Sequence, residues 1–322
     1  MGAINNQTTE SYGYFAVEHF ELIAADGIEL SLTHIKGNEG KPPLVMLHGS
    51  YSTRHFWISP KGIGLGAYLH KQGYDVWIPE FRGHGLSPKG PSFKQYSVEQ
   101  HMQYDLPAFG NFIYQQTSQA AIWLGHSLGG ISLYGSLSQA WLKKHHVKAV
   151  ITLGSQVSEG DGYIKYPLMP FLSRQLLKVL GKFPAKILGL GPENEAPGVI
   201  LDFINWKKTG GSWQTSTGCC FWEGFSGITQ PCLVISSKGD TTDPADGCEH
   251  LFKQLASDNK QFVLLSVDTG YAKDYDHVGM IIDKSAQEEV WPLIANWITT
   301  EVNIKAPIKP VKKPSLSKIT RV

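Results

Sequence analysis

The stretch Gly125-His126-Ser127-Leu128-Gly129 constrains this chain more than any other. An apolar run over residues 120–124 leads into it, and Leu128, Ile131, Tyr134, Leu137 and Trp141 recur at helical spacing on the way out. A serine at a sharp strand-to-helix turn needs neighbours without side chains, because flanking Cβ atoms would clash. Such a turn lifts the Ser127 hydroxyl above a sheet edge. It also leaves the Leu128 N–H at a helix N-terminus, where an oxyanion is well placed.

The remainder of the sequence says what kind of sheet this is. The short, fully apolar run at 44–47, the apolar run at 120–124 and the mainly apolar runs at 147–153 and 232–236 have the character of buried parallel strands. Further strands are expected at 74–79 and 261–266, and a hairpin at 19–33 around Asp26-Gly27. Helical patterns fall between them, at 62–72, at 98–116 with Ser97 as its cap, at 244–256 and at 285–300. Strand alternating with helix predicts an α/β fold with a mostly parallel sheet. Residues 1–14 read as a frayed end. The rhythm breaks over 156–229, which has one clear helical pattern (Leu172, Leu176, Leu177, Leu180), no evident strand, and a crowd of aromatics in Trp206, Trp213, Phe221, Trp222 and Phe225. We expect a core of 1–155 and 230–302, a cap insertion of 156–229 whose aromatics form the underside of a lid, and a flexible tail of 303–322.

Charge narrows the partners. Of 29 basic residues, six lie in the Pro-punctuated tail with no acid beside them, and the other 23 face 28 acidic residues. Nucleic acid is therefore not expected, while the tail offers a weak contact for an anionic membrane. No apolar run is long enough to span a bilayer. The N-terminal residues have neither the basic nor the apolar region of a secretory leader, and Asn6 stands where a myristoylation signal carries Ser or Thr. The four cysteines read as reduced thiols. Together these predict a cytoplasmic protein.

A serine hydroxyl is a poor nucleophile near neutral pH unless a base takes its proton and an acid orients that base. In open α/β sheets such groups gather at the carboxyl ends of strands. Asp240 follows directly on the run 232–236, and His277 follows 261–266 by a loop's length. Asp243 and Asp246 read instead as a helix cap and a solvated side chain, His250 as structural, His48 and His84 as hydrogen-bonded scaffold, and His126 as pointing into the sheet. The second oxyanion donor should be a backbone N–H after 44–47; Ser50 is the choice, with Tyr51 in reserve. No histidine pair has metal-ligand spacing and no phosphate-binding loop is present, so neither metal nor cofactor is expected.

The order Ser127, Asp240, His277 and the glycine-flanked serine resemble the α/β-hydrolase superfamily. Within it, the chain is similar to the acid lipase and esterase branch. The likeness is carried by Leu47-His48-Gly49-Ser50 with Phe56-Trp57, by Tyr96-Ser97-Val98 with Tyr104-Asp105-Leu106-Pro107-Ala108, and by Asp240 followed by Asp243-Pro244-Ala245 and Asp276-His277. The resemblance implies a serine nucleophile, an orienting aspartate and a histidine base. The chain departs from the acid lipases in Leu128, where they usually have Gln, in its shorter insertion, and in the absence of a visible leader. The expected activity is cleavage of a carboxylic ester with an apolar acyl group, of the EC 3.1.1 class, through an acyl-enzyme. Acyl transfer by the same triad, or ligand binding without catalysis, are the alternatives.

Overall fold

The computed structural model describes residues 7–159, 168–208 and 211–302. The basic tail, 303–322, lies outside them.

Among the described residues, nine strands form one sheet. In chain order, β1 (Gln7–Tyr12), β2 (Phe15–Ile23) and β3 (Glu29–Ile35) make an antiparallel meander, with the expected hairpin around Asp26-Gly27. They are followed by β4 (Pro43–Leu47), α1 (Leu65–Lys71) and β5 (Asp75–Glu80). Next comes one continuous helical stretch, in which α2 (Val98–Gln100) passes through a π turn (His101–Asp105) into α3 (Leu106–Thr117). Ser97 caps it, with its side chain bonded to the Gln100 N–H and the Gln100 side chain bonded back. Then follow β6 (Ala121–His126), α4 (Leu128–Ser138) and β7 (Val147–Leu153). After β7, in the stretch expected as an insertion, lie α5 (Met169–Leu180), α6 (Pro197–Lys208) and a 3-10 turn (Trp222–Gly227). The chain continues as β8 (Cys232–Ser237), α7 (Ala245–Gln254), β9 (Lys260–Leu265), α8 (Gly279–Ile282) and α9 (Lys284–Trp297).

The spatial order is β1-β2-β3-β5-β4-β6-β7-β8-β9. From β5 to β9 every pairing is parallel. The alternation of side chains along these strands feeds two cores. Val45, Leu47, Trp123 and Val234 face α3, α4, α7 and the insertion, while Leu44, Met46, Leu124 and Ile235 face α1 and α9.

Residues 7–12 are not frayed. Each of them pairs with β2, from Gln7 opposite Phe20 to Tyr12 opposite Phe15, and the strand ends on Tyr12, a buried ring whose hydroxyl accepts a hydrogen bond from Arg54 Nε at 2.8 Å. The remaining β1 side chains are exposed and polar, so the run has no apolar alternation to read. The stretch after β7 also holds a second helix, α6, opened by Pro197 and Gly198, beyond the single helical pattern expected there. Its aromatics are mostly core. Trp213, Phe221 and Phe225 are buried against one another, and Phe225 meets Tyr134 of α4 at 5.8 Å. All four cysteines are free. No helix among the described residues is long and apolar enough to cross a membrane.

Arg82 bridges two acids, a buried one in the parallel half and a partly buried one at the meander, and so ties the two together. Arg82, just past β5, donates through Nε and Nη2 to Asp105 Oδ1 at 2.9 and 2.6 Å, and through Nη1 to Asp26 Oδ2 at 2.6 Å. Arg82 and Asp105 have no exposed side-chain surface, so removing one leaves an uncompensated charge. Arg82→Met should therefore lower unfolding stability by about 3–5 kcal/mol in urea denaturation. A loss below about 1 kcal/mol would show that the pair does not anchor the two halves.

Candidate active site

Parallel strands that begin in register also end together, and that places the site. Leu47 of β4 is level with Gly125 of β6, His126 with Leu153 of β7, and Leu153 with Ile235 of β8. The loops after β4, β6, β7 and β8 therefore meet at one edge. The chain passes from β4 to β5 on one side and from β6 to β7 on the other, so adjacent strands β4 and β6 mark a topological switch point, the place where such sheets open a crevice.

Ser127 occupies the turn between β6 and α4 with φ 53° and ψ −122°, a strained backbone for a residue with a side chain. Close packing holds it there. A Cβ on Gly125 would come within 2.5 Å of the Gly130 nitrogen, and one on Gly129 within 2.6 Å of the Leu47 carbonyl oxygen. The Ser127 N–H donates to the Leu153 carbonyl at 3.0 Å, which locks the turn to β7. The loop after β4 lies against it, since a Cβ on Gly49 would sit 3.1 Å from the Ser127 Cβ. The Leu128 N–H, first in α4, lies outside the helix's own hydrogen-bond ladder.

Asp240 and His277 come together as expected. His277 Nδ1 donates to Asp240 Oδ2 at 2.8 Å, and the Asp240 carboxylate is fully buried. Gly154, at φ +52°, makes room for the pair, because a Cβ there would lie 2.8 Å from Asp240 Oδ2. Burial works to lower the His277 pKa. The Asp240 hydrogen bond and the charges of Asp243 and Asp240 outweigh it, against Lys207, and leave it raised above 6.5.

The other histidines mostly keep structural partners. His48 Nδ1 donates to the Gly49 carbonyl at 2.8 Å and Nε2 accepts the Phe81 N–H at 3.2 Å; burial holds its pKa down to about 3. His84 donates to Glu195 Oε2 at 3.2 Å, both side chains wholly buried. Glu195 comes from the insertion and also accepts the Tyr51 N–H at 3.3 Å, so the loop after β4 is held from above. His126 does not point into the sheet. It stacks on Phe56, and its Nε2 donates to the His277 carbonyl at 2.8 Å, steadying the loop that carries His277.

Asp243 also differs from expectation. It is neither a cap nor solvated: Pro244 stands at the N-terminus of α7 without a side-chain cap, and Asp243 is buried with Oδ2 3.3 Å from Ser127 Oγ. Asp246 is exposed, as expected. Asp243 Oδ1 accepts from Gln156 Nε2 at 2.7 Å and from Lys207 Nζ at 3.0 Å. Gln156 and Lys207 had no sequence signal. One follows β7 and the other lies on the overlooked α6, and only the folded chain brings them to the elbow.

Residues 42–188 match a family described as the α/β hydrolase fold. Lipase member K of Homo sapiens is 29% identical over 191 residues, which is 53% of this chain and 47% of that protein. Triacylglycerol lipase 2 of Arabidopsis thaliana is 30% identical over 228 residues, 63% of this chain and 51% of that one. The chain thus spans about half the length of the curated relatives it matches. Among solved structures, a monoacylglycerol lipase of Paleococcus ferrophilus aligns with TM-score 0.59 at 17% identity, covering 84% of this chain and 98% of that one. A thermophilic esterase of Thermogutta terrifontis aligns with TM-score 0.58 at 16% identity, covering 91% and 98%. Those two likenesses speak for the fold, and the sequence likeness for the lipases. The chain has the α/β-hydrolase fold, with its sequence relatives among the lipases.

Proposed function

We propose that the protein is a serine hydrolase that cleaves a carboxylic ester through an acyl-enzyme. The observation that carries this reading is the Asp240–His277 pair, 2.8 Å long, at the sheet edge that also holds the strained Ser127 turn. Neutral His277 takes the Ser127 proton at Nε2 as Oγ attacks the ester carbonyl carbon. The N–H groups of Leu128 and Ser50 hold the tetrahedral oxyanion. Tyr51 is the poorer candidate from that loop, because its N–H is committed to Glu195. Collapse expels the alcohol oxygen, which takes the proton from His277. Water then enters and gives a proton to His277 as its oxygen attacks the acyl carbonyl; the second collapse breaks the bond to Ser127 Oγ, which takes the proton back from His277 as the acid is released.

The relatives support the reaction class, since lipases and an esterase are named among them. An apolar acyl group fits the insertion, taken as a cap of 156–229. Its helix α5 exposes Phe171, Leu172, Leu176 and Val179 along one side, a stripe suited to hydrocarbon.

Asp240→Asn should lower kcat on p-nitrophenyl esters by about four orders of magnitude while circular dichroism stays unchanged. A drop of less than tenfold would remove Asp240 from the triad. Because the neutral form of His277 is the base and its pKa is raised, kcat/KM should fall off on the acid side with a midpoint above pH 6.5. A midpoint below 6.5 would contradict the assignment. Across a series from acetate to laurate, kcat/KM should rise with chain length; a maximum at acetate would rule out the apolar acyl preference.

A further inference from the structure

A third carboxylate crowds this site. Asp243 Oδ2 lies 3.3 Å from Ser127 Oγ, which donates to it, and 4.0 Å from His277 Nε2. Its position is built. The Asp243 N–H donates to Asp240 Oδ1 at 2.9 Å, so the two acids share one turn. Gln156 is held by the Glu159 backbone on both its amide atoms, at 2.8 and 2.7 Å, and so presents its N–H to Asp243 at a fixed angle. Lys207 Nζ adds a bond to the Thr242 carbonyl at 3.2 Å, which seats α6 on the turn.

Nucleophilic catalysis by a serine triad does not call for this group, and a carboxylate that is 3% exposed needs compensation. Lys207 and Gln156 supply it on Oδ1 and leave Oδ2 facing the reacting atoms. Two effects follow. The Ser127 proton is directed at Asp243 instead of the base. The imidazole of His277 is also flanked by a carboxylate at each nitrogen, which favours the imidazolium, a form that cannot accept a proton. Four charged or titratable groups face His277. These are Asp240 and Asp243 from the turn after β8, Lys207 from α6, and His126 at the end of β6, its ring 4.5 Å away and held neutral by burial. Asp276 is turned back onto its own loop, where it accepts the Val278 and Gly279 N–H groups.

We propose that Asp243 is a positioning residue that holds the Ser127 proton and, with Asp240, brackets His277 as its imidazolium, and that Lys207 on the insertion weakens this restraint by pairing with it. The seating of α6 thereby governs the pH at which Ser127 becomes a nucleophile. This rests on Ser127, Asp240 and His277 being the triad, and it adds a carboxylate that the triad does not need.

The test is the second-order rate of fluorophosphonate labelling as a function of pH in the full chain, which requires no knowledge of the substrate. Asp243→Asn removes a negative charge beside His277, so the acid-side midpoint should fall by about one pH unit. Lys207→Met removes a positive charge and should move the midpoint the other way, up by at least a few tenths. A purely structural role would lower labelling at every pH and move neither midpoint, and that result would overturn the inference. If Asp243→Asn does not fold, the upward shift in Lys207→Met decides alone. Ser127→Ala separates the two levels of the account. Labelling retained there removes the triad and this inference together, whereas abolished labelling with unmoved midpoints removes the inference only.

Discussion

Backbone passing close to backbone at the carboxyl edge of the sheet is the constraint on which this site depends. The apolar strands β4, β6, β7 and β8 are buried on both faces, so polar chemistry is displaced to their ends. There the elbow must fit against the end of β4. Only a residue without a side chain can stand 2.6 Å, in Cβ terms, from the Leu47 carbonyl oxygen, and Gly129 does. At the neighbouring loop Gly154 grants the same approach to the Asp240–His277 pair. Fill either gap and Ser127, His277 or Asp240 must move, although none of them would have been substituted.

Much of this was legible because the physics is local. A run such as Leu44 to Leu47 announces a buried strand by its composition, and Gly125-His126-Ser127-Leu128-Gly129 announces a tight turn by its glycines. Asp240 and His277 were found because each sits a short distance past a strand whose end could be read. The meander was half-visible. β2 and β3 alternate cleanly, but β1 is polar on both sides and held by backbone pairing and one tyrosine, which leaves little pattern in the sequence.

The rest was hidden because it arises from long-range contact. Asp243, Gln156 and Lys207 are separated by up to 87 positions in pairs that lie within 3.0 Å of each other. Taken singly, each looks like an ordinary polar residue at a turn or on a helix. Glu195 is similar, reaching across from the insertion to His84 and the Tyr51 N–H. These contacts give the insertion two polar holds on the core, one at the loop after β4 and one at the turn after β8. These residues therefore bear on both sides of Ser127, and the aromatics of the same stretch, buried on α4, serve chiefly to fix it in place.

The central claim is that Ser127 is a nucleophile made reactive by His277. Mapping the peptide that carries the phosphonate after exposure to a fluorophosphonate tests this most directly. The account predicts one adduct per chain, on the peptide containing Ser127, and its loss when His277 is replaced by alanine in a protein that still folds. An adduct on another peptide, or undiminished labelling of Ser127 without His277, would contradict it.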